Sequence, residues 1–146
     1  MQSSTRTTLR GSMINHHTAL IYTMVLLSAA DGDMTDYELE TIGEIVRYMP
    51  IFRDYDRNEL TSAAEECARR LNEEEGFDHV LDLIASGLPG SLAETAYAIA
   101  CDVAAADGKV RQEEIRLLEL LRYRLDIDRL AAAAIERGAR ARHVTL

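Results

Sequence analysis

The sequence predicts an all-α domain of about seven helices, and three observations carry that prediction. Apolar residues recur at helical spacing along most of the chain, alanine is abundant while β-branched residues do not cluster, and only two Pro and 8 Gly occur in 146 residues. Alanine loses no side-chain freedom in a helix. So few turn-formers leave little material for the many tight turns of a β-sandwich. A chain of this length is one domain by the usual prior, and it can bury roughly two-thirds of its unfolded surface without staples.

The helices follow in order. The first is expected over about Ile14–Ala30, where Ile14, Ile21, Val25 and Leu26 repeat at helical spacing and Asp31-Gly32 ends it. The second covers Asp36–Met49, opened by the Thr35/Glu38 capping-box pattern and closed by Pro50, with Leu39, Ile42, Val46 and Met49 as its apolar stripe. The third covers Arg57–Asn72, with Asp56 and Glu59 as its box and Leu60, Ala64, Cys67 and Leu71 on one face. Glu73-Glu74-Glu75-Gly76 breaks the pattern before a short fourth helix over Asp78–Ala85, and Gly87-Leu88-Pro89-Gly90 is a turn. The fifth covers Leu92–Ala106, capped by Ser91 and Glu94. The sixth covers Gln112–Leu125, with Ile115, Leu118, Leu121 and Leu125 apolar, and the last covers Arg129–Arg140. Residues 1–12 are polar and lack the apolar core of a signal peptide. They read as a leader, either vector-derived before Met13 or a native disordered tail, and the domain proper is 13–146.

One short pattern occurs twice. Ala30-Asp31-Gly32-Asp33-Met34-Thr35-Asp36-Tyr37-Glu38 is echoed by Ala106-Asp107-Gly108-Lys109-Val110-Arg111-Gln112-Glu113-Glu114. Each copy bends one helix into the next, so helices one and two form one hairpin and five and six another. A duplication would relate the two hairpins by a pseudo-twofold axis. Asp, Gly and a closing Glu at this spacing match the second half of a calcium-binding EF-hand loop, in which Gly makes the sharp turn and the next-but-one residue packs inward. The first half is absent. Its ligand positions fall on Leu27 and Ala29, and on Val103 and Ala105, none of which can ligate. Neither copy is an EF-hand, yet two half-loops face to face would supply four carboxylates: Asp31, Glu38, Asp107 and Glu114.

The charges have a non-metal reading as well. Asp31 and Asp107 sit where a helix ends, opposing the negative end of its macrodipole at a cost of about 0.3–1 kcal/mol. A bound cation would remove that conflict, as would a nearby Lys or Arg, or an Asp-Gly turn in which the Asp bonds its own backbone. Glu38 can cap a helix with Thr35. Glu114 follows Arg111, which offers no acceptor, so the second copy makes the cleaner case for ligation. Asp102 lies inside the apolar run Ile99–Ala105 and needs a partner or solvent, which makes it an auxiliary candidate. An all-oxygen set suits a hard cation: calcium first, with magnesium or manganese as alternatives, whereas zinc would want His or Cys.

Other chemistry finds little support. The net charge of −9 argues against nucleic acid and fits cations, basic partners or plain solubility. Cys67 and Cys101 lie in alanine-rich helices and read as free thiols of a reducing cytoplasm. No apolar run reaches the roughly 18 residues of a membrane span. His16, His17, His79 and His143 show no Glu-x-x-His or His-x-x-x-His spacing, and no nucleophile motif or phosphate loop occurs, so an enzyme is not expected.

At Asp31, Gly32, Met34 and Glu38, and again at Asp107, Gly108, Val110 and Glu114, the chain resembles the tellurite-resistance TerB family. The relatives of that family include the domain preceding the J-domain in some membrane-anchored co-chaperones. The likeness covers roughly Met13–Ala139 and departs only at Met34, where Val or Ile is more usual. It implies a compact all-α domain with pseudo-symmetric halves, and a divalent-cation site built from the paired Asp and Glu. It also implies a sensor or scaffold role in tellurite and other stress responses rather than catalysis. The resulting expectation is a cytoplasmic, non-enzymatic, TerB-like domain that binds a divalent cation. The alternative is a metal-free protein-interaction module in which the same residues cap helices.

Overall fold

A computed structural model describes residues 13–29 and 34–146. Among these are seven α-helices: α1 (His16–Ser28), α2 (Asp36–Tyr48), α3 (Leu60–Leu71), α4 (Gly76–Gly87), α5 (Ala93–Ala105), α6 (Gln112–Arg124) and α7 (Arg129–Arg142). Short 3-10 turns lie at Pro50–Phe52, Arg57–Glu59 and Gly90–Leu92. The expected all-α class and helix order are observed. The leader call and the first Asp-Gly bend, Asp31-Gly32, fall outside the described residues.

Helix α1 is the axle of the fold. Every residue from Ala19 to Ser28 is buried, so the helix has no solvent face, as a helix apolar all round must. The helix packs against α3, α4 and α5 and makes smaller contacts with α2 and α6. Of the polar groups it carries inward, Thr23 and Tyr22 are hydrogen-bonded and the Ser28 hydroxyl is not. Thr23 Oγ1 donates to Ala19 O at 2.8 Å, and Arg70 Nε donates to Tyr22 Oη at 3.2 Å. At its start Asn15 accepts the amide of Thr18, a cap the sequence pattern did not single out. Nearby, His17 is buried beside Phe52 and Tyr55, with Nε2 2.9 Å from Ile51 O.

The amphipathic helices lie around this axle. In α2, Ile42 and Val46 are buried while Leu39 and Met49 pack at the margin, which is the expected stripe. In α3, Ala64 and Cys67 are buried between Leu60 and Leu71, again as expected. Three local expectations are corrected. The third helix opens as a 3-10 turn, because Asp56 accepts the amide of Asn58 rather than completing a box with Glu59. The expected Ser91 cap of α5 is not made; Ser91 lies inside the 3-10 turn that leads into the helix. Helix α4 begins at Gly76, directly after Glu75 in the left-handed region (φ 57°), so this glycine starts the helix rather than interrupting the chain. A Cβ at Gly76 would lie 2.0 Å from Arg70 O, so only glycine lets α4 start this close to α3.

The last three helices form the other half. Helix α5 packs on α1 and is covered by α7, whose Ala132 and Ala139 face inward. Asp128 caps α7 through the amides of Leu130 and Ala131. Helix α6 keeps most of its expected stripe, with Leu121 buried and Leu118 and Leu125 packed against the core, but departs at its start: Glu114 and Leu117 are buried while Ile115 is 41% exposed. The helix is rotated about its axis so that a glutamate, not an isoleucine, heads the inward face. Among the described residues no helix is long and apolar enough to cross a membrane.

Candidate functional site

The packing of α1 on α5 brings the end of α1 and the start of α2 beside the α5–α6 bend. Helix α1 ends at Ser28 and α5 at Ala105, and the next helices, α2 and α6, start from the same end of the bundle. Between them lies a small cleft of about 180 Å³ whose lining includes Ser28, Glu38, Asp107, Arg111 and Glu114. The structure therefore brings three sequence-predicted residues, Glu38, Asp107 and Glu114, from both hairpins to one place. Asp31 lies outside the described residues. Asp102 is not in the cleft lining. Its Oδ1 accepts from Arg142 Nη2 at 2.6 Å and Nε at 3.2 Å, and lies 3.3 Å from His143 Nε2, which ties the end of α7 to α5. This pairing answers why a carboxylate sits in an apolar run.

Each cleft carboxylate also has a local structural task. Glu38 Oε1 accepts the amide of Thr35 at 2.8 Å while Thr35 Oγ1 accepts the amide of Glu38 at 3.2 Å, a complete capping box. Glu114 Oε1 accepts the amide of Arg111 at 2.9 Å. The expectation that Glu114 has no capping role is thereby corrected. The reaching-back half of a capping box needs only the N-cap amide, not an acceptor side chain at that position. Glu114 is 8% exposed, the more buried of the two glutamates.

Asp107 resolves its macrodipole conflict in two ways at once. Its Oδ1 accepts the amide of Lys109 at 3.0 Å in an Asx turn, with Gly108 at φ 80°. Its Oδ2 receives Arg111 Nη1 at 3.2 Å, and the same nitrogen lies 4.0 Å from Glu114 Oε1. Val110, expected to pack inward, is 45% exposed.

Sequence reasoning missed three residues here. Arg111 was read only as a poor cap, although its position four residues after Asp107 is the spacing of a helical ion pair. Tyr37 Oη donates to Ala106 O at 3.4 Å, joining the start of α2 to the end of α5 across the cleft. Ser28 gave no sequence signal. Its hydroxyl is buried and has no hydrogen-bond partner, the one such side-chain atom found among the described residues. A buried hydroxyl left unpaired is costly and calls for an explanation such as an unseen water or ion.

Among the described residues no three His, Cys, Asp or Glu side chains are already grouped to hold a metal ion. The arrangement nevertheless offers carboxylate and hydroxyl oxygen from α1, α2 and the α5–α6 bend around one small space, which is the donor chemistry of a hard cation.

No curated protein and no solved structure gives a significant match. The family model described as "Tellurite resistance protein TerB" matches residues 17–137, which takes in all seven helices in whole or in part. The chain belongs to the TerB family.

Proposed function

We propose that this domain is a non-enzymatic cytoplasmic module of a stress response that takes up a hard divalent cation in the cleft between its two helix bends, with calcium preferred over magnesium or manganese. The observation that carries this reading is the unpartnered Ser28 hydroxyl on the wall of a cleft that also gathers Glu38, Asp107 and Glu114. The two glutamates are anchored through Oε1 to backbone amides, so their positions do not depend on the ion. Asp31, which occupies in the first copy the place of Asp107 in the second, is the remaining ligand under this reading. Asp102 is engaged by Arg142 and His143 and takes no part.

The test is thermal unfolding of chelator-stripped protein titrated with calcium, magnesium, manganese and zinc. A ligand bound only by the native state stabilises it by about 2.7 kcal/mol at a hundred times its dissociation constant. A saturating, calcium-selective rise in Tm supports the reading. No shift at millimolar cation refutes it.

A second reading, a metal-free interaction module, is favoured by a different observation. An apolar cleft of about 580 Å³ opens between the ends of α1 and α3 and the face of α6, lined in part by Leu26, Leu71, Phe77, Leu117 and Leu120. Clefts of this size and character hold ligands or partner side chains. Under this reading the acidic residues only cap helices, and cation leaves the Tm unchanged.

A further inference from the structure

We infer that Arg111 is a tethered counter-cation of the cleft, holding the place of the divalent ion in the ion-free domain and leaving it when the ion binds. This inference rests on the cation reading above and concerns how that same site is regulated.

The argument begins with an anomaly at the N-cap of α6. Arg111 holds the N-cap position with extended backbone, φ −85° and ψ 163°. An arginine there is doubly unfavourable. It has no acceptor for the free amides of the first turn, and it places positive charge at the positive end of the helix dipole. The equivalent place in the first copy is Thr35, with nearly the same backbone angles, φ −85° and ψ 167°, and a side chain that does cap. The two N-caps thus share a backbone conformation, and the second gives up the N-cap hydrogen bond the first makes.

The geometry shows what Arg111 does instead. Its Nη1 lies 3.2 Å from Asp107 Oδ2 and 4.0 Å from Glu114 Oε1, two of the three carboxylates that line the cleft among the described residues. The guanidinium is therefore positioned to neutralise those two groups when no ion is present. Lys109 lies on the same bend, but it meets Asp107 through its backbone amide. The unpartnered Ser28 hydroxyl is an independent sign that a ligand belongs here, because a guanidinium donates hydrogen bonds and the hydroxyl is left without any partner. A divalent ion held by Asp107 and Glu114 repels the guanidinium that faces the same two carboxylates, which drives its displacement. Ion binding is then coupled to release of an arginine at the mouth of the cleft. The affinity is also lower than the ligand set alone would give, as suits a domain that responds to changes in ion level.

The test is calcium titration by calorimetry of three proteins: the unaltered chain, Arg111→Gln and Lys109→Gln. Removing a unit charge next to a divalent site should tighten Kd by about tenfold in Arg111→Gln. Lys109→Gln removes the same net charge and should change Kd by only about two- to threefold, the effect of a more screened surface charge. A second measurement needs no variant. The Arg111 Nε–Hε resonance of the unaltered chain should move toward the position of a solvated arginine as calcium saturates. Equal or weaker binding by Arg111→Gln overturns the displacement while leaving the cation reading intact. So does a gain matched by Lys109→Gln, or an Arg111 resonance unmoved at saturation. Absence of calcium binding in all three proteins overturns both.

Discussion

Replacing Glu114 separates its two roles, because the structure assigns one to a hydrogen bond and the cation reading assigns the other to charge. The side chain is nearly buried, its Oε1 accepts the Arg111 amide at 2.9 Å, and Arg111 Nη1 lies 4.0 Å away. Glu114→Ala removes the acceptor and leaves an N-terminal amide of α6 without it, which costs about 0.5–2 kcal/mol with or without metal. Glu114→Gln keeps an oxygen for that amide and removes the charge. Its ion-free stability should therefore fall by less than about 1 kcal/mol, since the Arg111 pairing it weakens is long and partly exposed. In a domain of this size, about 1 kcal/mol moves Tm by roughly 3–5 °C. Saturating calcium on the unaltered domain, worth about 2.7 kcal/mol at a hundred times Kd, should raise Tm by roughly 10 °C. The assay is thermal unfolding followed by far-UV circular dichroism, with and without calcium. The expected pattern is a small ion-free loss in Glu114→Gln, a larger one in Glu114→Ala, and no calcium-dependent rise in either. A full calcium response in Glu114→Gln would refute the claim that this carboxylate holds the ion and reduce Glu114 to a cap.

Further outcomes follow from the same structure. Ser28→Ala removes a buried hydroxyl with no partner and should stabilise the ion-free domain by about 1 kcal/mol in urea unfolding, while lowering the calcium-dependent gain; a net loss of ion-free stability would show that the hydroxyl is paired. Asp102→Asn breaks the link to Arg142 and His143, where the arginine is half exposed, so it should cost at most about 1 kcal/mol, speed amide exchange at the end of α7 and leave the calcium response unchanged. Gly76→Ala drives a Cβ onto backbone at Arg70 and should cost about 3 kcal/mol or more, seen as a lowered urea midpoint. Burial pushes the thiols of Cys67 and Cys101 up to about 12 from an ordinary 9.0. The folded state thus holds these protons longer than the unfolded chain. The stability this confers is complete below about pH 9 and is lost as pH rises toward 12. Both thiols should accordingly resist alkylation at pH 8 until the protein is unfolded.

Helix identity and order were legible in the sequence because they rest on local physics. The apolar stripes of α2 and α3, the Thr35/Glu38 box and the Pro50 stop are decided within a few residues of chain, and each is found where its spacing placed it. The doubled Asp-Gly and Glu pattern was equally legible, and with it the family. Where local rules failed, a contact from elsewhere had overridden them. Helix α1 is buried all round by three neighbours, which an apolar run of its length does not announce. Gly76 opens α4 because the carbonyl of Arg70 is too close for any side chain. Helix α6 is rotated so that Glu114 replaces Ile115 on the inner face, a choice made by packing against the rest of the bundle.

The chemistry of the cleft divides in the same way. Sequence alone named Asp31, Glu38, Asp102, Asp107 and Glu114, since carboxylate type and spacing are properties of a linear string. Only the packing of α1 on α5 decided that residues from two distant hairpins line one space, that Asp102 belongs instead to Arg142 and His143, and that Arg111 and the Ser28 hydroxyl lie on the same cleft wall. Pairing and burial depend on which surfaces meet in three dimensions, and no periodicity along the chain encodes that.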